Sequence, residues 1–158
     1  MATAHLRSRV RWIVAGLVVV MLVLSVRSHH GPSTEPATAA ELTLVATEFN
    51  HDYQVNDVAP VWERFDASSR TVIARSRYLR WHHECPSAPG AATTLSASPV
   101  SNGWWVVAYS ISGVILHDYW HQEQRRWRFS LVRSNPSAVA LYSSSFANYA
   151  RATGCNAG

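Results

Sequence analysis

The spacing of apolar residues changes three times along this chain. From Trp12 to Val26 they run together as WIVAGLVVVMLVLSV, fifteen residues without a charge, with Arg7, Arg9 and Arg11 before them and Arg27 after. From Pro36 to about Asp52 they recur near every 3.6 residues, at Leu42, Val45, Ala46, Phe49 and Tyr53, which predicts an amphipathic helix with Pro36 in its first turn. Val58, Val61, Trp62 and Phe65 predict a second, shorter helix over 55–65, with Asn56 or Asp57 able to cap it. A third helix over 68–83 comes after the capping-type run Asp66-Ala-Ser-Ser and puts Val72, Ile73, Ser76, Leu79 and His83 on one side. Arg70, Arg75, Arg77 and Arg80 occupy much of its remaining surface and read as a solvated basic face paired with nearby acids.

After Cys85-Pro86 comes a loop rich in Pro, Gly, Ala and Ser, and the apolar period then falls to two. A short strand is expected over 93–101. From Trp104 to His121 the positions Trp105, Val107, Tyr109 and Ile111 alternate with Val106, Ala108 and Ser110, as one long strand bent at Gly113 or two strands turning there. The polar run Gln122 to Arg125 reads as a hairpin loop, and Trp127, Phe129 and Leu131 alternate with Arg126, Arg128 and Ser130 in the next strand. Asn135-Pro136 opens a helix whose apolar side is Val139, Leu141, Tyr142, Phe146 and Tyr149. Behind an N-terminal transmembrane helix, the expected class is therefore α+β: helices packed on a curved antiparallel sheet, with a C-terminal helix.

The first apolar run is short for a membrane span, since fifteen residues give only about 22 Å of helix against a hydrocarbon core of roughly 30 Å. Signal-peptide cleavage needs small residues soon after the run, whereas Ser25, Val26, Arg27, Ser28, His29 and His30 stand here and the A-x-A at Ala37 to Ala39 lies far downstream. This favours an uncleaved signal anchor over 12–27, ahead of a cleaved signal peptide or a buried core helix. Snorkelling by Arg11 and Arg27 can lengthen the span. The Arg cluster then keeps a basic tail, 1–11, in the cytoplasm; a linker, 28–36, leads to an extracytoplasmic domain, 37–158. The chain of 158 residues has 14 Lys plus Arg, all of them Arg, and 10 acids. Four of those Arg flank the apolar run, so the residues from Ser28 onward are formally neutral, which argues against nucleic acid as a partner. His29 and His30 read as part of a solvated tether.

Few residues suggest chemistry. Cys85 and Cys155 are the two cysteines, and outside the cell they are expected to form a disulfide pinning the last helix to the helical layer. His117 and His121 would share a helix face, but in a strand they stand about 13 Å apart, too far to hold one metal. His82 and His83 diverge by about 100° on a helix. No metal site is expected, and without a G-x-S-x-G, a phosphate-binding loop or a dinucleotide fingerprint no cofactor is either. On the concave face of a bent sheet Trp105, Tyr109, Asp118, Trp120 and Trp127 are candidates to line a ligand pocket, the alternative being that the rings simply fill the core. Acid–base catalysis would use Asp118 with Tyr109, His117 or His82.

The words GWWVVAYSISG (Gly103 to Gly113) and RWRFSLVRSNP (Arg126 to Pro136), with the element order over roughly 37–153, resemble the nuclear-transport-factor-2-like, cystatin-related fold. In particular the chain is similar to small bitopic proteins of GC-rich Gram-positive bacteria, including the Mce-associated membrane proteins, and its lack of Lys beside abundant Ala, Val and Arg fits such a genome. It departs from that pattern in ending on a long helix from Pro136 and a Cys-bearing tail rather than a closing strand. The resemblance implies a non-enzymatic, membrane-anchored extracytoplasmic accessory or scaffold protein with a membrane or cell-envelope partner. Homo-oligomers through the sheet face are compatible with it. The alternatives are a binder of a small apolar or lipid-like ligand in an aromatic pocket, and an enzyme with an Asp/His/Tyr pocket.

Overall fold

The computed structural model describes residues 34–86 and 90–155, and from Glu35 onward these belong to one unit, Glu35–Gly158. The expected basic tail 1–11, the expected anchor 12–27 and the expected linker up to residue 33 lie outside the described residues. No helix among the described residues is long and apolar enough to cross a membrane.

Four helices come first. α1 (Ala39–Gln54) starts three residues later than Pro36, because Thr38 is the residue that caps it, its Oγ1 accepting from the Glu41 N–H at 3.2 Å. The helix buries Leu42, Val45, Ala46, Phe49 and Asn50, close to the expected stripe. α2 (Val58–Arg64) starts after Asp57, whose side chain makes no cap bond. The single helix expected over 68–83 is instead two, α3 (Ala67–Val72) and α4 (Arg75–Glu84). Ile73 between them is extended, and its carbonyl accepts from Trp62 Nε1 at 3.1 Å, so a tertiary bond replaces a helical one. The break resets the helical phase of α4. Tyr78, Trp81 and His82 are buried in α4 and His83 is exposed, the reverse of the expectation for the two histidines.

The sheet is a four-stranded antiparallel meander of β1 (Ala92–Pro99), β2 (Trp104–Ile111), β3 (Val114–Glu123) and β4 (Arg126–Phe129), in the spatial order of the chain. At Ser112-Gly113, φ is 51° and 83°, and at Gln124-Arg125 it is 52° and 60°. Positive φ at both central residues is what a two-residue type I′ hairpin requires. Of the two readings of residues 104–121, two strands turning at Gly113 is therefore the one realised, with Ile111 paired to Val114. A bulge between Thr94 and Ser96 leaves Leu95 without a partner and bends β1. The last strand ends at Phe129 rather than Leu131, because Ser130 caps a short helix, α5 (Leu131–Ser134), and the Leu131 N–H is taken by Ser69 Oγ at 2.8 Å. The long helix expected from Pro136 splits into α6 (Pro136–Tyr142) and α7 (Phe146–Thr153), the second capped by Ser145 and ended by left-handed Gly154.

The core lies between the helices and one face of the sheet. Trp120 and Trp127 are completely buried there, Trp120 meeting Phe49 edge-on at 5.2 Å and Trp127 meeting Trp105 edge-on at 5.4 Å. A second aromatic group joins α4 to the C-terminal helices, with Trp81 lying 5.1 Å from Tyr149 and Tyr78 5.5 Å from Tyr142.

Two ties hold the ends of the unit. Glu35 and Pro36, linker residues by sequence, are built into the domain. The buried Glu35 carboxylate accepts from Arg64 Nη1 at 2.6 Å and from the Trp127 N–H at 2.5 Å, its N–H donates to the Arg125 carbonyl, and Trp127 Nε1 reaches the Pro36 carbonyl. At the other end Cys85 and Cys155 sit at disulfide distance with Cα atoms 5.6 Å apart, within the range such bonds occupy, and 70 residues apart in sequence.

Glu35→Ala is expected to destabilise the domain by about 2–3 kcal/mol, since it strands the buried Trp127 N–H, while Glu35→Gln keeps an acceptor there and loses less. Chemical denaturation of both variants checks the order. Cys155→Ser is expected to cost about 2–4 kcal/mol, and adding a reductant to the native protein should reproduce the loss without affecting the variant.

Candidate functional site

Not all of the space between α1 and the sheet is filled. A cavity of about 130 Å³ opens there. α1 contributes Phe49, Asn50, Tyr53 and Gln54; the sheet contributes Tyr109, Ile111, Asp118 and Phe129; Val61, Phe65 and Tyr78 close one side and Ala138 and Tyr142 of α6 another. The pairing of small residues with long ones explains the gap. Ala92 and Ala138 reach only part-way across, and Gly90 lies at the rim, where an added Cβ would stand 3.1 Å from Ile111 Cγ2. Tethering of α1 to the first strand is polar, through Gln54 Nε2 to the Ala92 carbonyl at 3.4 Å and Asn50 Nδ2 to Thr94 Oγ1 at 3.5 Å.

Asp118 and Tyr109 are the polar pair of this cavity. Asp118 stands opposite Val107 in the β2–β3 ladder, on the inward face, and is 8% exposed. Burial pushes its carboxyl up to about 7, while the hydrogen bond it receives from Tyr109 pulls the other way. The Tyr109 phenol is held far above its ordinary range, chiefly by burial and then by the Asp118 charge. Behind the wall, His82 Nε2 lies 2.8 Å from the Tyr142 hydroxyl, and burial lowers the imidazole to about 4, so it is neutral at physiological pH.

Of the five residues singled out as pocket candidates, Tyr109 and Asp118 line the cavity. Trp105, Trp120 and Trp127 do not: Trp120 packs on Phe49 and Phe129 in the adjoining core, and the partly buried Trp105 packs on Trp127. His117 precedes Asp118 on a strand and so faces the opposite side, exposed to solvent. His121 shares that outer side, its ring 4.3 Å from Trp104 and its Nε2 3.5 Å from both Asp66 Oδ2 and Glu123 Oε1, an ion-pair distance without hydrogen-bond geometry. No group of three His, Cys, Asp or Glu among the described residues could hold a metal ion. The four Arg of α3 and α4 are engaged: Arg75 with Glu63, Arg80 with Glu84, Arg70 over Trp62, and Arg77 over Trp81 and on the Tyr142 carbonyl.

Sequence reasoning missed Asn50, Gln54, Tyr78 and Tyr142 as lining residues. A signal existed at Asn50 and Gln54, two amides four apart that border the apolar stripe at Phe49 and Tyr53 and therefore share one helix edge. Tyr78 and Tyr142 had none, because ring positions at helical spacing look the same in a core and in a pocket wall.

No protein-family model matches this chain, and no curated protein does. Among solved structures, a SEC-C motif-containing protein from Rhodopseudomonas palustris is similar over 58% of this chain and 75% of its own, at 16% identity and a TM-score of 0.35.

The two buried groups act oppositely on stability. Asp118 titrates higher when folded, so the stability tied to its proton is fully present below about 3.8 and is lost as the pH rises through about 7. His82 titrates lower when folded, so its contribution is present above 6.5 and lost as the pH falls through about 4. Asp118→Asn removes the first effect and leaves the second. Denaturant unfolding at pH 5 and pH 8 should show the variant gaining on the native protein by about 1–3 kcal/mol at the higher pH; parallel curves would mean that Asp118 is not a buried proton holder.

Proposed function

We propose that this protein binds a small molecule in the cavity between α1 and the sheet. The observation that carries the reading is a ligand-sized space, about 130 Å³, walled by aromatic rings and supplied with one buried carboxyl–phenol pair. Apolar walls with a few convergent polar groups are the usual make-up of a small-molecule site. An apolar cavity of about 150 Å³ takes a benzene-sized guest, so the ligand here is compact, or else inserts only its head. In this proposal the apolar run over 12–26 and its flanking Arg support a domain held outside the membrane by residues 12–27. The helices-then-meander order supports the nuclear-transport-factor-2-like affinity as part of the same reading.

The accessory or scaffold role keeps one observation in its favour. At the β2–β3 tip Val114 and Ile115 are 60% and 58% exposed beside half-exposed Leu116, an apolar point suited to a protein partner. It supplies no reason for the cavity, which is why ligand binding ranks ahead of it.

Native mass spectrometry of the full chain released from its own membranes tests the reading. A small molecule should accompany the native protein and be lost from Ala138→Phe, which fills the space and leaves Asp118 and Tyr109 intact. Identical spectra from the two, with no bound mass in either, would sink it.

A further inference from the structure

The character of the cavity goes further than its size. Among the described residues that line it, Asp118 is the one charged side chain. The other two buried acids among the described residues have basic groups beside them: Glu35 faces Arg64, and Asp66 faces His121. No ion pair among the described residues includes Asp118, which has the Tyr109 hydroxyl instead. A carboxylate removed from water is strongly disfavoured unless a proton or a cation meets it. The aromatic rings of the cavity wall add a second preference, because ring faces attract cations and do so most when both are desolvated. Both features favour the same charge.

Building on the reading that the cavity is a ligand site, we propose that its ligand is a small organic cation. A protonated or quaternary amine of about five to ten non-hydrogen atoms fits the space. Its nitrogen meets the Asp118 carboxylate in place of the missing basic side chain, and Tyr53, Tyr109 and Tyr142 surround it. Anions are excluded by the same carboxylate. A neutral isostere gains the burial but neither the charge-assisted hydrogen bond nor the ring attraction.

The test is calorimetric titration of the full-length chain in phosphatidylcholine nanodiscs at pH 8, with empty nanodiscs as the blank, using benzylamine, benzyl alcohol and benzoate, which share one ring and differ in charge. Benzylamine should bind at least about tenfold tighter than benzyl alcohol, a difference of about 1.4 kcal/mol, and benzoate should not bind. In Asp118→Asn the amine and the alcohol should come within about threefold of each other. Equal binding of amine and alcohol by the native protein overturns the cation while leaving the pocket. Preferential binding of benzoate also overturns it, and would make Asp118 a proton donor to an anion. If none of the three binds, the cavity reading fails and takes the cation with it. Should Asp118→Asn not fold, the ligand series on the native protein still decides.

Discussion

The pairing of β2 with β3 is the constraint on which core and cavity both depend. Through the two-residue turn at Ser112-Gly113, Trp105 comes to stand opposite Trp120, Val107 opposite Asp118 and Tyr109 opposite Leu116. Side chains alternate across a sheet with a period of two, so a slip of one residue would carry the whole set to the other face. Trp120 would leave the core and His117 and Tyr119 would enter it. Asp118 and Trp120 have the same parity, and the register that buries the tryptophan therefore buries the carboxylate as well. Gly113, at φ 83°, is the position where the backbone most needs freedom from a side chain to make that turn.

Glu35, Asp66 and Asp118 are buried in this domain, and the surroundings of Glu35 and Asp118 assign those two different work. Glu35 has a guanidinium and a backbone N–H on its carboxylate, and through its own backbone it holds the start of the domain to the β3–β4 hairpin. Its bonding capacity is used up in architecture. Asp118 has one phenol, no basic partner among the described residues and an open space beside it, and burial raises its carboxyl toward neutrality. In the proposed reading, a fold that satisfies Glu35 fully and leaves Asp118 with a phenol alone separates a structural carboxylate from a binding one.

The helices decide how much space remains. α1 presses Phe49 onto Trp120 and Phe129, closing the sheet at that end, while further along it Tyr53 and Gln54 face the cavity and the Ala92 carbonyl. The kink at Ile73, bonded to Trp62, turns α4 so that Tyr78 and His82 point inward, where they meet Tyr142 from α6. The Cys85–Cys155 pair ties the end of α4 to the tail beyond Gly154, which ends α7.

Sequence periodicity alone determined the α+β class, the α1 stripe, the alternation of β2 and β3, the polar hairpin after Gln122 and the joining of the two cysteines. Each of these comes from local spacing or from there being one possible pairing. It also brought Tyr109 and Asp118 forward together, because a carboxylate and a phenol on inward positions of an apolar strand are conspicuous. Tertiary structure decided the rest. The breaks at Ile73 and at Ser143 to Ser145, the early end of β4 and the inclusion of Glu35 in the domain all arise where a distant partner takes a backbone or capping bond that local propensity would have used otherwise. Trp120 and Trp127 fill the core, with Trp105 packed against it, while Tyr53, Tyr78 and Tyr142 wall the cavity, and no local pattern separates the two sets. Whether a ring meets another ring or an empty space depends on how far the opposing side chains reach, and at the cavity these include small residues, Ala92 and Ala138, contributed from elsewhere in the chain.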